Sequence, residues 1–134
     1  MSISMGTAIS KGEDSYEVGR KVATEAMKKA SLGKVDLSIV FASSKYDYDL
    51  VVKGVREVTG KAPLIGCSSA GEFTETSVEK AGVACAVIGS DTHNFFTSMG
   101  RGLRSDEINT LKKAVEDLPS GVNDFPFRSS FVLI

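Results

Sequence analysis

The chain carries one histidine, His93, and two cysteines, Cys67 and Cys85, which show no CxxC spacing. A structural zinc site needs four Cys or His ligands, so one chain falls short and no metal is expected. Net charge is almost absent: 16 basic residues against 17 acidic ones leave -1 at pH 7. Without a long-range field, neither nucleic acid nor an anionic membrane is an expected partner. No run reaches the roughly 18–20 apolar residues that span a bilayer. The opening MSISMGTAIS lacks the basic start and long apolar block of a secretory leader. Both cysteines sit among small or apolar residues, which suits reduced thiols and a cytoplasmic location.

What is present fits a folded domain. The 134 residues suit one domain, 1–134, with 42% hydrophobic and 25% charged residues. Ile3, Met5, Thr7 and Ile9 alternate with Ser2, Ser4, Gly6 and Ala8, a strand with one buried face. Asp14 and Glu17 form a capping pair before Val18, Val22, Ala26 and Ala30, whose spacing predicts a helix stopping at Gly33. Residues 35–42 (VDLSIVFA) read as a second strand ending at Ser43 and Ser44. Asp47 caps a second helix with Val51, Val55 and Val58 on its apolar stripe and Gly60 at its end. Pro63, Leu64 and Ile65 begin a third strand. Strand, helix and strand at this spacing form a βαβ unit with parallel neighbours.

Gly82 to Ile88 is apolar on both faces, which predicts a central strand. After a turn at Gly89 to Thr92, Phe95, Thr97 and Met99 suggest an antiparallel partner. Ser105 is the expected cap of a third helix, with Ile108, Leu111, Val115 and Leu118 as its buried stripe. Phe131 to Ile134 read as a last strand. The expected class is α/β, a mixed sheet with a parallel βαβ core and an antiparallel hairpin. The order is β-α-β-α-β-β-β-α-β, with about three helices on the sheet and strand order left open. An ending inside an apolar strand looks cut from something longer, so truncation is expected.

The informative segment is Gly66-Cys67-Ser68-Ser69-Ala70-Gly71-Glu72. Its small residues admit close backbone approach, and its hydroxyls and amides can hold polar groups. It follows a parallel strand whose neighbour ends in Ser43 and Ser44, and open α/β sheets bind ligands beyond such strand ends. The expected ligand-binding residues are Ser43, Ser44, Gly66, Cys67, Ser68, Ser69, Gly71 and Glu72. Catalytic motifs fail. Ala70 stands where GxSxG needs its last glycine, Lys61 is followed by Ala62 where a P-loop needs Ser or Thr, and no GxGxxG occurs. Cys67 would need a base, and His93 is the one histidine that could serve; a buried structural thiol is the simpler reading. Glu72 reads equally as a ligand-binding carboxylate and as a solvated loop residue. Tyr46 and Tyr48 could line a pocket, Asp47 and Asp49 suit the helix start, and Arg101 and Arg104 could hold a carboxylate.

The segments FASSKYDYD, APLIGCSSAGEF, GVACAVIGSD and MGRGLRSDE together resemble the N-terminal part of a FIST domain, with GCSSAGE similar to that family's hallmark. The resemblance implies a sensory input domain of a signal-transduction protein that binds a small molecule, with amino acids as proposed ligands. It also implies a C-terminal FIST region or output module as partner, neither of which is in this chain. Some related proteins bind haem, but with His93 alone no haem or other cofactor is expected here. The competing readings are a Cys67-dependent enzyme and an interaction module. An unpaired sheet edge and apolar C-terminus would favour a homo-oligomer in the latter.

Overall fold

A computed structural model describes residues 2–126 and 128–130. Its contacts divide the chain into two units, residues 1–95 and 96–134.

The first unit contains β1 (Ile3–Ser10), α1 (Ser15–Ala30), β2 (Leu37–Ser43), α2 (Tyr48–Thr59), β3 (Leu64–Ser69), β4 (Glu72–Phe73), β5 (Val78–Glu79) and β6 (Val83–Ser90). Four strands form one sheet in the order β1-β6-β2-β3. β2 and β3 are parallel, as the βαβ spacing requires, and β6 runs antiparallel to both β1 and β2. This position makes β6 the central strand expected of an apolar segment, with Val83, Cys85 and Val87 buried and Ala86 and Ile88 half-buried. It also explains why Phe95, Thr97 and Met99 do not form the expected strand: residues 95–99 are irregular. Both hydrogen-bonding edges of β6 are taken by β1 and β2, so no edge remains for a hairpin partner. The antiparallel hairpin of this unit is instead β4–β5, which pairs Phe73 with Val78.

Asp14 caps α1 by accepting from the Glu17 amide at 3.0 Å, and Asp47 caps α2 by accepting from the Leu50 amide at 3.1 Å. α1 ends before Gly33, with Ser31 in the left-handed region at φ 53°. The crossovers β1–α1–β2 and β2–α2–β3 step the same way across the sheet, so the right-handed rule places both helices on one face. Val18, Val22 and Ala26 of α1 there join Val51 and Val55 of α2 and Val40, Val83, Cys85 and Val87 of the sheet in one core. The helices select the small-residue face of β1. A β-carbon on Gly6 would lie 2.1 Å from the Ala26 carbonyl oxygen, so Gly6 and Ala8 are buried while Ile3 and Met5 stay about 60% exposed (60% and 61%).

The second unit contains α3 (Glu107–Glu116) and a 3₁₀ turn at Val122–Asp124. The cap is Asp106, not Ser105: its carboxylate accepts from the Asn109 amide at 3.0 Å. The expected apolar stripe is not a buried one. Ile108, Leu111 and Val115 are exposed, and Thr110 is the buried residue of α3. A stripe is buried only where a second layer covers it, and among the described residues this unit offers one short helix and one turn. The expected last strand, 131–134, lies outside the described residues.

Candidate functional site

β2 and β3 end side by side. Ala42 is opposite Ser68 and Ser43 opposite Ser69, so the two polar strand ends form a common rim. Ser44, Gly66, Cys67, Ser68 and Gly71 are exposed there, and Ser69 is half-buried. β3 is the outer strand of the sheet, which leaves its small residues open. Gly66 also has a packing reason. A β-carbon there would lie 1.8 Å from the Val40 carbonyl oxygen, so close pairing with β2 itself requires glycine.

Ser43 and Glu72 are placed differently from the rest. Glu72 is 3% exposed. One carboxylate oxygen accepts from the Ser69 hydroxyl at 2.5 Å and the other from the Gly82 amide at 2.8 Å. It is thus not a solvated loop residue, and each of its carboxylate oxygens already holds one donor. Its charge is buried because two donors are supplied to it. Ser43 is buried too, its amide donating to the Gly82 carbonyl at 3.0 Å and its carbonyl accepting from the Tyr46 amide at 3.1 Å.

Sequence reasoning missed Gly82 and Ala81 and misplaced Tyr46. Tyr46 lines no open pocket; it is 5% exposed and belongs to the core. Its hydroxyl donates to the Ala81 carbonyl at 3.1 Å and accepts from the Gly12 amide at 3.4 Å. Ala81 has φ 59°, in the left-handed region that L-residues rarely adopt. Tyr48 is exposed, and Asp47 is accounted for by its cap. Pocket-lining and core tyrosines look alike in one sequence; no local signal separated them here.

The Cys67–His93 pairing fails on geometry. Cys67 lies in the register of Phe41 and Ala84, near the start of β6, while His93 follows the other end of that strand. Ala84 to Ser90 alone spans roughly 20 Å at about 3.3 Å per residue. The His93 ring nitrogen Nδ1 is within hydrogen-bonding distance of the Ser90 and Thr92 hydroxyls, at 3.1 and 3.0 Å, and the ring stacks on Phe95. Cys85 is in the core, and burial pushes its thiol up to about 12. At that same distant end Asp36 accepts from the Ser90 amide at 2.9 Å. Its ion pair with Lys34, then the Ser90 amide, hold its carboxyl below the usual aspartate value. Among the described residues no three His, Cys, Asp or Glu side chains group to hold a metal ion.

A cavity of about 450 Å³ opens beside the β1–α1 loop, lined by Lys11, Gly12, Asp14, Glu17, Arg20 and Lys21 among others. None of the rim residues Gly66 to Glu72 lines it. In the second unit, Arg101 and Lys113 border a smaller hollow that Asp106 also faces, while Arg104 does not line it.

The fold and rim define an α/β domain with a mixed sheet and an uncharged, small-residue turn at the carboxyl end of a parallel strand pair. The FIST N domain family matches residues 36–134, and the chain belongs to that family. FIST domains are sensory domains of signal-transduction proteins. The match begins just before β2; β1 and α1 precede it, yet β1 is a full member of the same sheet. No curated protein matches the chain. Among the described residues no helix is long and apolar enough to cross a membrane.

Proposed function

We propose that this chain is a small-molecule-binding input domain for amino acids or related metabolites, with the ligand seated on the rim between Ser43–Ser44 and Gly66–Glu72. One observation carries the reading: the β2 and β3 ends lie in adjacent register, and the exposed part of the rim presents only small groups, Ser44, Gly66, Cys67, Ser68 and Gly71. Such a surface recognises polar ligand groups through hydroxyls and main-chain amides, not through an opposing charge. The buried Glu72 shapes the turn from below and does not meet the ligand. The output partner is a further FIST region or signalling module, and no cofactor is needed for recognition of this kind.

A thermal-shift panel of amino acids and common metabolites tests the reading. A ligand at a hundred times its Kd stabilises the folded state by about 2.7 kcal/mol. Ser68→Arg, which crowds the rim, abolishes that shift if the site is correct. A panel in which no compound raises Tm, or a shift untouched by Ser68→Arg, overturns it.

A further inference from the structure

The Ala81–Gly82 peptide is held from both sides by groups from different parts of the chain. Its carbonyl, on Ala81, accepts from the Tyr46 hydroxyl, and its N–H, on Gly82, donates to the Glu72 carboxylate. The next carbonyl, on Gly82, accepts from the Ser43 amide. Ser69 reaches the same peptide through Glu72, and Gly12 of the β1–α1 loop reaches it through the Tyr46 hydroxyl. Three loops thus meet on one peptide unit at the entry to the central strand β6. That unit follows Ala81, whose left-handed φ of 59° a non-glycine residue adopts only where surroundings enforce it.

We infer that this peptide is a mechanical relay between the small-residue turn and the β1–α1 loop beside the cavity at Gly12. The inference rests on the rim being the sensory site, and it adds how a change there is passed on. A ligand that pulls Ser69 or the Gly66–Gly71 turn shifts Glu72. Glu72 then loosens its hold on the Gly82 amide, and the peptide, already in a disfavoured conformation, turns away from Tyr46. The β1–α1 loop loses the hydroxyl that Gly12 donates to. Coupling of this kind is reciprocal, so a change at Tyr46 must be felt at Glu72.

Amide hydrogen exchange followed by NMR on the whole chain tests the relay without any ligand. Tyr46→Phe leaves the Gly82–Glu72 bond chemically intact, yet the relay requires Gly82 amide exchange to rise about tenfold or more. Glu72→Ala takes the acceptor away from the Gly82 amide and touches neither Tyr46 nor Gly12, and the relay requires faster exchange at Gly12. The Val87 amide in β6 is the reference and stays unchanged in both variants. Ala81→Gly relieves the left-handed strain and touches neither hydrogen bond, so the relay requires slower exchange at both the Gly12 and Gly82 amides, and this variant serves if either other one fails to fold. Unchanged exchange at the remote amide, or equal acceleration at Val87, overturns the relay. A relay confirmed beside a failed ligand panel would remove only the sensing reading, and the reverse result only the relay.

Discussion

Replacing Glu72 tests most directly how the rim is built. In Glu72→Ala the Ser69 hydroxyl and the Gly82 amide each lose a charged acceptor. Hydrogen bonds to charged groups contribute roughly 1.5–3 kcal/mol each, and a buried donor left without a partner costs about 1–3 kcal/mol. Ser69 is half-buried and can turn to water, so its loss counts for less; Gly82 is buried and cannot. The expected destabilisation is therefore about 2–4 kcal/mol, a large share of the roughly 5–15 kcal/mol typical of a domain. Glu72→Gln keeps the shape: its amide oxygen accepts from Gly82 and its amide nitrogen donates to the Ser69 hydroxyl. It should cost no more than about 1.5 kcal/mol, the loss of charge assistance. The chain's three tyrosines, Tyr16, Tyr46 and Tyr48, all lie in the first unit, so tyrosine fluorescence in urea reports that unit. The midpoint should fall far in the Ala variant and little in the Gln variant, at an unchanged m-value. An Ala variant within about 0.5 kcal/mol of wild type, roughly the scatter of an ordinary surface substitution, would refute a buried clamp. A Gln variant as unstable as Ala would show that charge, not the pair of hydrogen bonds, holds the rim.

Two further outcomes follow from other groups. Iodoacetamide should modify exposed Cys67 in the native protein but reach Cys85, whose thiol burial pushes up to about 12, only on unfolding; mass spectrometry of native and urea-treated samples checks this, and double labelling of the native protein would contradict the core. Asp36 has its carboxyl depressed by Lys34 and the Ser90 amide, so its folded pKa lies below the unfolded value of about 3.9. Its contribution to stability is full above that unfolded value and disappears as pH falls through the lower folded value. Urea midpoints measured downward from pH 5 should drop less steeply in Asp36→Asn than in wild type, and parallel curves would exclude the contribution.

Much of the scaffold was legible because local spacing carries it. The four-residue recurrence of Val18, Val22 and Ala26, the caps at Asp14 and Asp47, and the strand–helix–strand spacing to Leu64 need no distant information. The apolar run from Gly82 to Ile88 correctly marked a central strand. Its partners were not legible, because the same run pairs equally well with any strand in reach. That is why Phe95, Thr97 and Met99 read as a hairpin partner when β1 and β2 already occupied both edges. The third helix was legible as a helix, but its stripe of Ile108, Leu111 and Val115 carries periodicity only, and periodicity does not say whether a second layer exists. At the rim, the small residues Gly66 to Ser69 announced themselves, and Glu72 did not reveal that it points inward.

By itself the sequence determined the three helices and the strands β1, β2, β3 and β6, that β2 and β3 run parallel, and that the Gly66–Gly71 turn stands at their ends, since each follows from periodicity, capping or chain length between neighbours. Only the tertiary structure decided that β6 separates β1 from β2, that the face of Gly6 and Ala8 is the buried one, and that Tyr46 and Glu72 meet on a single peptide. Those outcomes depend on which groups far apart in the chain come within bonding distance, and such contacts leave no repeat in the order of residues.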